Sequence, residues 1–189
     1  IEVPNKLLVE ISINFYQLFL VITDKEGRVV PKAVVKIFLE NGTIVKAISD
    51  EEGKVGPLLT PFTHYQVEVF WHNFTVYSGS IEINRDSTVT IRTKLVNVVI
   101  SVRNLWKQPI RGLKATFSLI LVNGSKVFLG EKSGDTIISF NLVPVSSIVK
   151  SIEINLTVAD KIFTYTYNQP IENDIIDTID LPIIFVLLN

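Results

Sequence analysis

Four Asn-x-Ser/Thr triplets are the residues of this chain whose type and spacing point to chemistry, and that chemistry is attachment of sugar at a side-chain amide. They begin at Asn41, Asn73, Asn123 and Asn155. Asn41-Gly42-Thr43 recurs as Asn123-Gly124-Ser125, and Asn73-Phe74-Thr75 as Asn155-Leu156-Thr157; 123 − 41 and 155 − 73 are both 82. Single triplets arise by chance. Two pairs in one register predict two copies of one module, carrying N-linked glycans at matching loops outside the cell. Asn-Gly is a strong hairpin signal, so Asn41 and Asn123 are expected at exposed tips. Asn73 and Asn155 are expected where one strand turns into the next.

No other side chains assemble a reactive set. His64 and His72 are the only histidines. On one face of a strand they would stand about 26 Å apart, too far to share a metal. The absence of Cys excludes zinc–thiolate and thiol chemistry. Gly-x-Ser-x-Gly, phosphate loops and His-Glu-x-x-His do not occur. Two acidic groups, Asp24/Glu26 with Asp50/Glu51/Glu52, and Glu172, Asp174, Asp177 and Asp180, lack a calcium-loop spacing and read as solvated turn carboxylates. Tyr65, Phe70, Trp71, Phe74 and Tyr77 read as sandwich packing, with a carbohydrate-stacking platform as the alternative. No catalytic residues, metal or cofactor are expected.

The elements that position these residues are strands. Of 189 residues 47% are hydrophobic and 20% charged, Val and Ile supply about a quarter, and no helical period appears. The net charge of −1, with scattered basic residues, leaves no nucleic-acid footprint, and no apolar run is long enough to span a bilayer as a helix. A start at Ile1 with no Met in the chain suits a mature form after signal-peptide removal. Short apolar runs punctuated by Asp24-Lys25-Glu26-Gly27, Asn41-Gly42, Asp50-Glu51-Glu52-Gly53, Pro61, Pro109 and Asn123-Gly124 predict two tandem all-β, Ig-like sandwich domains, at 15–95 and 96–189. Thr93 to Val98 lacks Gly, Pro and Ser, predicting nearly continuous strand and a stiff junction. Glu172 to Asp180 reads as an acidic loop before a final strand.

Val21-Ile22-Thr23-Asp24-x-x-Gly27, Pro31-x-Ala33-x-Val35 and Ser49-Asp50-x-x-Gly53-Lys54-Val55 resemble the carboxypeptidase regulatory-like, transthyretin-like β-sandwich family. Val102-Arg103-Asn104, Pro109-Ile110, Gly112 and Ala115 echo it more loosely, without the Asp-x-x-Gly turn. The resemblance implies a structural or adhesive module without catalysis.

Residues 1–14 fall outside both strand sets and predict an N-terminal extra strand. Ile1, Val3, Leu7, Val9, Ile11 and Ile13 share one face, interrupted by Asn5, and the other face is polar apart from Leu8. Such a strand either pairs at an edge of its own first domain or is donated to a neighbouring copy by β-augmentation. A fragment boundary is the remaining reading. Together with the sequons, the start at Ile1, two sandwich modules and no Cys, it resembles the thread filament subunits of thermoacidophilic archaea. That resemblance implies glycosylated pilins joined head to tail by donor-strand complementation: an extracellular cell-surface homopolymer serving adhesion or biofilm formation, with identical subunits and N-linked glycans as partners. The apolar run Leu181 to Leu188 is the second candidate donor. The alternatives are a two-domain piece of a surface-layer or adhesin protein, and a carbohydrate-binding accessory module.

Overall fold

A computed structural model describes residues 15–61 and 63–183. The candidate donor strand 1–14 and the chain from 184 onward lie outside the described residues. Those described are all-β, without a helix.

The first seven strands are β1 (Phe15–Thr23), β2 (Val34–Phe38), β3 (Ile44–Ile48), β4 (Lys54–Pro61), β5 (Thr63–Trp71), β6 (Phe74–Ile83) and β7 (Ser87–Arg92). They form a three-stranded sheet, β4-β1-β7, over a four-stranded one, β3-β2-β5-β6. Alternation puts Leu18, Leu20 and Ile22 of β1 opposite Val35, Ile37, Val67 and Val69 of the other sheet, all buried. The next seven repeat the plan. They are β8 (Leu95–Arg103), β9 (Leu113–Leu121), β10 (Lys126–Gly134), β11 (Ile137–Pro144), β12 (Val149–Val158), β13 (Lys161–Asn168) and β14 (Ile175–Asp180). Their sheets are ordered β11-β8-β14 and β10-β9-β12-β13, strand for strand the first arrangement. In both, the central strand takes one antiparallel neighbour and one parallel: β1 lies parallel to β7, and β8 to β14. The chain is a tandem pair of β-sandwiches.

Each sandwich has a base, where its first and last strands begin, and a tip, where they end. The turn after β1, the β3–β4 turn and the β5–β6 turn lie at the tip of the first sandwich. The Asn41-Gly42 hairpin and the β6–β7 connection lie at its base. The chain passes from the tip of the first sandwich into the base of the second.

Three expectations are corrected. The stretch from Glu172 to Asp180 is not all loop, since Ile175–Asp180 is β14, pairing with β8 from Ile175↔Val98 to Asp180↔Arg103. Its acidic residues conceal an edge strand in which Ile179 is buried while Ile176, Thr178 and Asp180 face outward. Thr93 and Lys94 interrupt the strand expected to run through them, because Thr93 is held by the first sandwich and Lys94 is bonded to both. Thr93 donates from N and Oγ1 to the Thr23 carbonyl, each at 2.8 Å, the Lys94 N–H donates to the Val76 carbonyl, and Val145 N–H donates to Lys94 O. His72 has left the strand that carries His64 and sits in the β5–β6 turn at φ 45°.

Candidate assembly surfaces and glycosylation sites

The Asn-Gly sequons occupy one geometry twice. Asn41 Oδ1 accepts the Thr43 N–H and Asn123 Oδ1 accepts the Ser125 N–H, both at 2.9 Å. Gly42 and Gly124 take φ of 81° and 84°, and each donates its N–H to the carbonyl three residues back, Leu39 and Leu121. Both Asn residues are exposed at the base of their sandwiches. Nδ2, the atom that would carry sugar, is left over from the turn.

The other two sequons are not equivalent in space. Asn73, with His72, forms the β5–β6 turn at φ 66° and 45°, and its counterpart in the second sandwich is Ala159–Asp160, at φ 46° and 61°. Asn155 lies instead in mid-strand on β12, opposite Thr164 on β13 and Thr116 on β9. It is half-buried; Nδ2 donates to Glu153 at 3.1 Å, and Oδ1 accepts from Thr164 Oγ1 at 2.7 Å. The offset of 82 fails here because it has grown to 87 by this turn (159 − 72): four residues join β11 to β12 where one joins β4 to β5, and β12 is one residue longer than β5. The polymerisation residues Ile1, Val3, Leu7, Val9, Ile11 and Ile13 lie outside the described residues.

Three loops share one side-chain-to-backbone device. Asp24 Oδ1 accepts the N–H groups of Glu26 and Arg28, each at 2.9 Å. Asp50 Oδ1 accepts those of Glu52 and Lys54, and Asn104 Oδ1 those of Trp106 and Gln108. The second sandwich therefore builds the first one's Asp-x-x-Gly turn from Asn104-Leu105-Trp106-Lys107. The amide oxygen replaces the carboxylate, and Lys107 accepts φ 63° where Gly27 has 84°. Asp24 and Asp50 thus serve as backbone acceptors, and among the described residues no group of three or more histidines or carboxylates is placed to hold a metal ion.

Between the sandwiches sits an ion-pair clasp that the sequence reading did not anticipate. Arg28 donates Nε to the fully buried Asp24 at 2.6 Å, and Nη1 and Nη2 to the two oxygens of Asp174 at 2.7 and 2.9 Å. This two-pronged geometry is what the guanidinium fork favours. Asp174 Oδ1 also accepts the Asn97 N–H at 2.8 Å, and Lys25 Nζ donates to the Glu172 carbonyl at 2.7 Å. The Arg28 hydrogen bonds, opposed by burial and aided by the Asn97 N–H, hold the Asp174 carboxyl below its ordinary range. A crevice of about 620 Å³ that none of the clasp residues lines opens at the base of the second sandwich, between Lys94, Val122, Val145, Ser146 and Gln169. Arg28 stands four residues after a turn Asp, a local signal; its partner 146 residues away leaves no trace in the sequence.

The aromatic group divides. Tyr65 and Phe74 are buried, with Tyr65 Oη donating to the Pro61 carbonyl at 2.9 Å, and Tyr77 packs half-buried against the core. Phe70 faces outward beneath Lys36 Nζ, 4.1 Å from its ring centroid, and Trp71 meets His72 edge to face at 4.8 Å. No single platform results. In the second sandwich Tyr167 Oη donates to Asp177 Oδ2 at 2.6 Å, joining β13 to β14 across an open side; burial, then that bond, raises the phenol well above its ordinary range.

No protein-family model matches the chain, and no curated protein does. Among solved structures it is similar to the TIE protein of Bacillus anthracis, with TM-score 0.34 and 14% identity over 88% of this chain and 34% of that one. It is also similar to a streptococcal ancillary pilin, with TM-score 0.34 and 10% identity over 86% and 61%. A shaft pilin of Lactobacillus rhamnosus GG gives TM-score 0.39 and 9% identity over 92% and 100%. The chain spans about a third of the first of these proteins and three-fifths of the second. At these identities and scores the likeness is one of general architecture.

Proposed function

We propose that the chain is the structural subunit of an N-glycosylated extracellular filament, polymerised head to tail by a donated strand, residues 1–13. The observation that carries this reading is the end-to-end arrangement of two like sandwiches. The described chain begins at Phe15, at the base of the first, and leaves β14 at the tip of the second, so a strand donated from before Phe15 would set out from the end where a neighbour's tip would meet it. The three-stranded sheets also offer edges. β4 carries Pro57 and Pro61, which lack N–H donors, whereas β7 has no proline and pairs only with β1 among the described residues. β7 and its counterpart β14 are therefore the better-suited acceptors. Glycans at the base hairpins, Asn41 and Asn123, and at the Asn73 turn would flank the joints without covering the strand edges.

Val9→Asp with Ile11→Asp tests the donated strand. Each carboxylate would enter a neighbour's core without a partner, at several kcal/mol. The variant should fold, keep its melting temperature within a few degrees, and form no fibres by electron microscopy. Normal fibres from this variant would sink the donor-strand reading. A planar lattice from the unaltered protein would favour a surface-layer component instead.

A further inference from the structure

The parts that meet at the internal junction recur singly at the outer base of the first sandwich and the outer tip of the second. At the internal junction the tip loop Asp24–Arg28 of the first sandwich meets the base of the second. There Asp174 accepts from the Asn97 N–H and from Arg28, and Leu95 and Val96, which open β8, are buried at 0% and 1% exposure. The same base exists on the first sandwich. Asp86, just before β7, accepts the Gln17 N–H at 2.8 Å through Oδ1, as Asp174 does from Asn97. Gln17 and Asn97 are each the third residue of their strands. At this base, however, Phe15, the counterpart of Leu95, is 59% exposed. The same tip exists on the second sandwich, with the backbone bonds of the Asp24 loop reproduced by Asn104. It presents Leu105 at 50% and Trp106 at 55% exposure, and Gln108 stands where Arg28 stands.

We propose that this tip and this base bind each other between two copies of the chain, in the relation the two sandwiches already have within one. Leu105 and Trp106 of one copy cover Phe15 of the next, and Gln108 takes the place of Arg28 beside Asp86. Its Oε1 is held by Asn104 Nδ2 at 3.0 Å, which directs Nε2 outward as a donor for a carboxylate. The occupant is a second copy because each half of the contact has its template at the internal junction. Apolar matches apolar where the internal clasp matches charge. Two side chains of this size, exposed together on one loop tip, are the aromatic and aliphatic anchor that central interface pockets take. The inference deepens the filament reading and rests on it for the repetition of the contact; the contact itself is measurable without fibres.

The chain has no cysteine, so introduced thiols report unambiguously. The 1–189 chain bearing Trp106→Cys is mixed with the same chain bearing Asp86→Cys under mild oxidation. Disulfide-linked 106–86 pairs are expected to exceed 106–106 and 86–86 pairs by on the order of tenfold, as proximity in a docked pair dictates. Trp106→Cys mixed with Ile176→Cys, which is 80% exposed on β14, should give background. Because Trp106→Cys removes an anchor, Gln108→Cys with Asp86→Cys is the second pair. Both positions are exposed, so the fold is retained, as the melting temperature will show. Fibres whose joints yield neither pair above background overturn the contact while leaving the filament reading standing. Enriched 106–86 or 108–86 pairs without fibres support the contact and count against the donated strand. Yields equal to the Ile176→Cys control overturn the contact in every case.

Discussion

At the residue scale, Asp24 shows how one side chain serves a turn and a junction together. It is wholly buried, yet satisfied by two backbone N–H groups on one oxygen and a guanidinium on the other. Asn104 shows that the turn itself needs only the first oxygen. Asp24→Asn should therefore keep the turn and cost about 1 kcal/mol, from the lost pairing with Arg28. Asp24→Ala should strand two N–H groups and the guanidinium and cost about 2–4 kcal/mol. Urea unfolding followed by tryptophan fluorescence separates the two; equal losses would mean that the side chain's charge, not its acceptor geometry, holds the loop. Asp50, with the same two N–H bonds but no salt bridge of its own among the described residues, marks the polar form of this turn.

At the scale of elements, most strands were legible because alternating burial on a sandwich writes a period of two into the sequence. Phe15–Thr23, closed by the Asp24-Lys25-Glu26-Gly27 turn, and Ile44–Ile48, set between Asn41-Gly42 and Asp50-Glu51-Glu52-Gly53, are such strands. β14 was missed because four of its six residues are exposed and two are Asp. An edge strand needs few apolar positions, and pairing with β8 supplies the rest. Turn glycines divide in the same way between local and tertiary demands. Gly27 has φ 84° and open space where a Cβ would stand, whereas a Cβ at Gly53, φ 73°, would lie 2.7 Å from the Ile22 carbonyl oxygen. Gly27→Ala should cost about 1–2 kcal/mol, the left-handed backbone penalty alone. Gly53→Ala should cost clearly more, because the obstacle is backbone that cannot step aside. Thermal melts of the two variants with indistinguishable shifts would show that the β3–β4 turn moves freely from β1.

For the whole molecule, the decisive contact is the clasp of Arg28 on Asp174. Asp174 has its carboxyl pKa lowered by that pairing. A carboxylate depressed on docking contributes its stabilisation above the ordinary Asp value, about 3.9, and loses it as pH falls through the lowered one. Arg28, raised by the same contacts, stays charged throughout. The groups facing the pair are Asp24 on the same loop and Lys25, whose ammonium lies on the Glu172 carbonyl. The two sandwiches should therefore hold one mutual orientation at neutral pH and loosen only in strong acid. Asp174→Asn should show the loosened state at every pH. Small-angle scattering or donor–acceptor distances across the junction would read this, and an unaltered distance distribution in Asp174→Asn would assign the orientation to Thr93, Lys94 and Val145 instead.

The sequence by itself determined that the chain is all-β, that it holds two like sandwiches, and that Asn41 and Asn123 sit at hairpin tips. Each of these follows from local rules: period-two burial, turn chemistry, and a repeat in register. It mislaid Asn155, because a constant offset in sequence is a constant position in space only while no strand between has changed length. It read Asn104-Leu105-Trp106-Lys107 as a departure from the Asp-x-x-Gly turn, since an amide oxygen and a Lys at positive φ do the work of Asp and Gly only once the β-bridge Arg103↔Pro109 fixes the loop. Only the tertiary structure decided which carboxylates are solvated and which are held. Asp24 and Asp174 lie 150 residues apart and become partners of one guanidinium when two folded domains meet, and no local pattern encodes a contact whose halves each fold for other reasons.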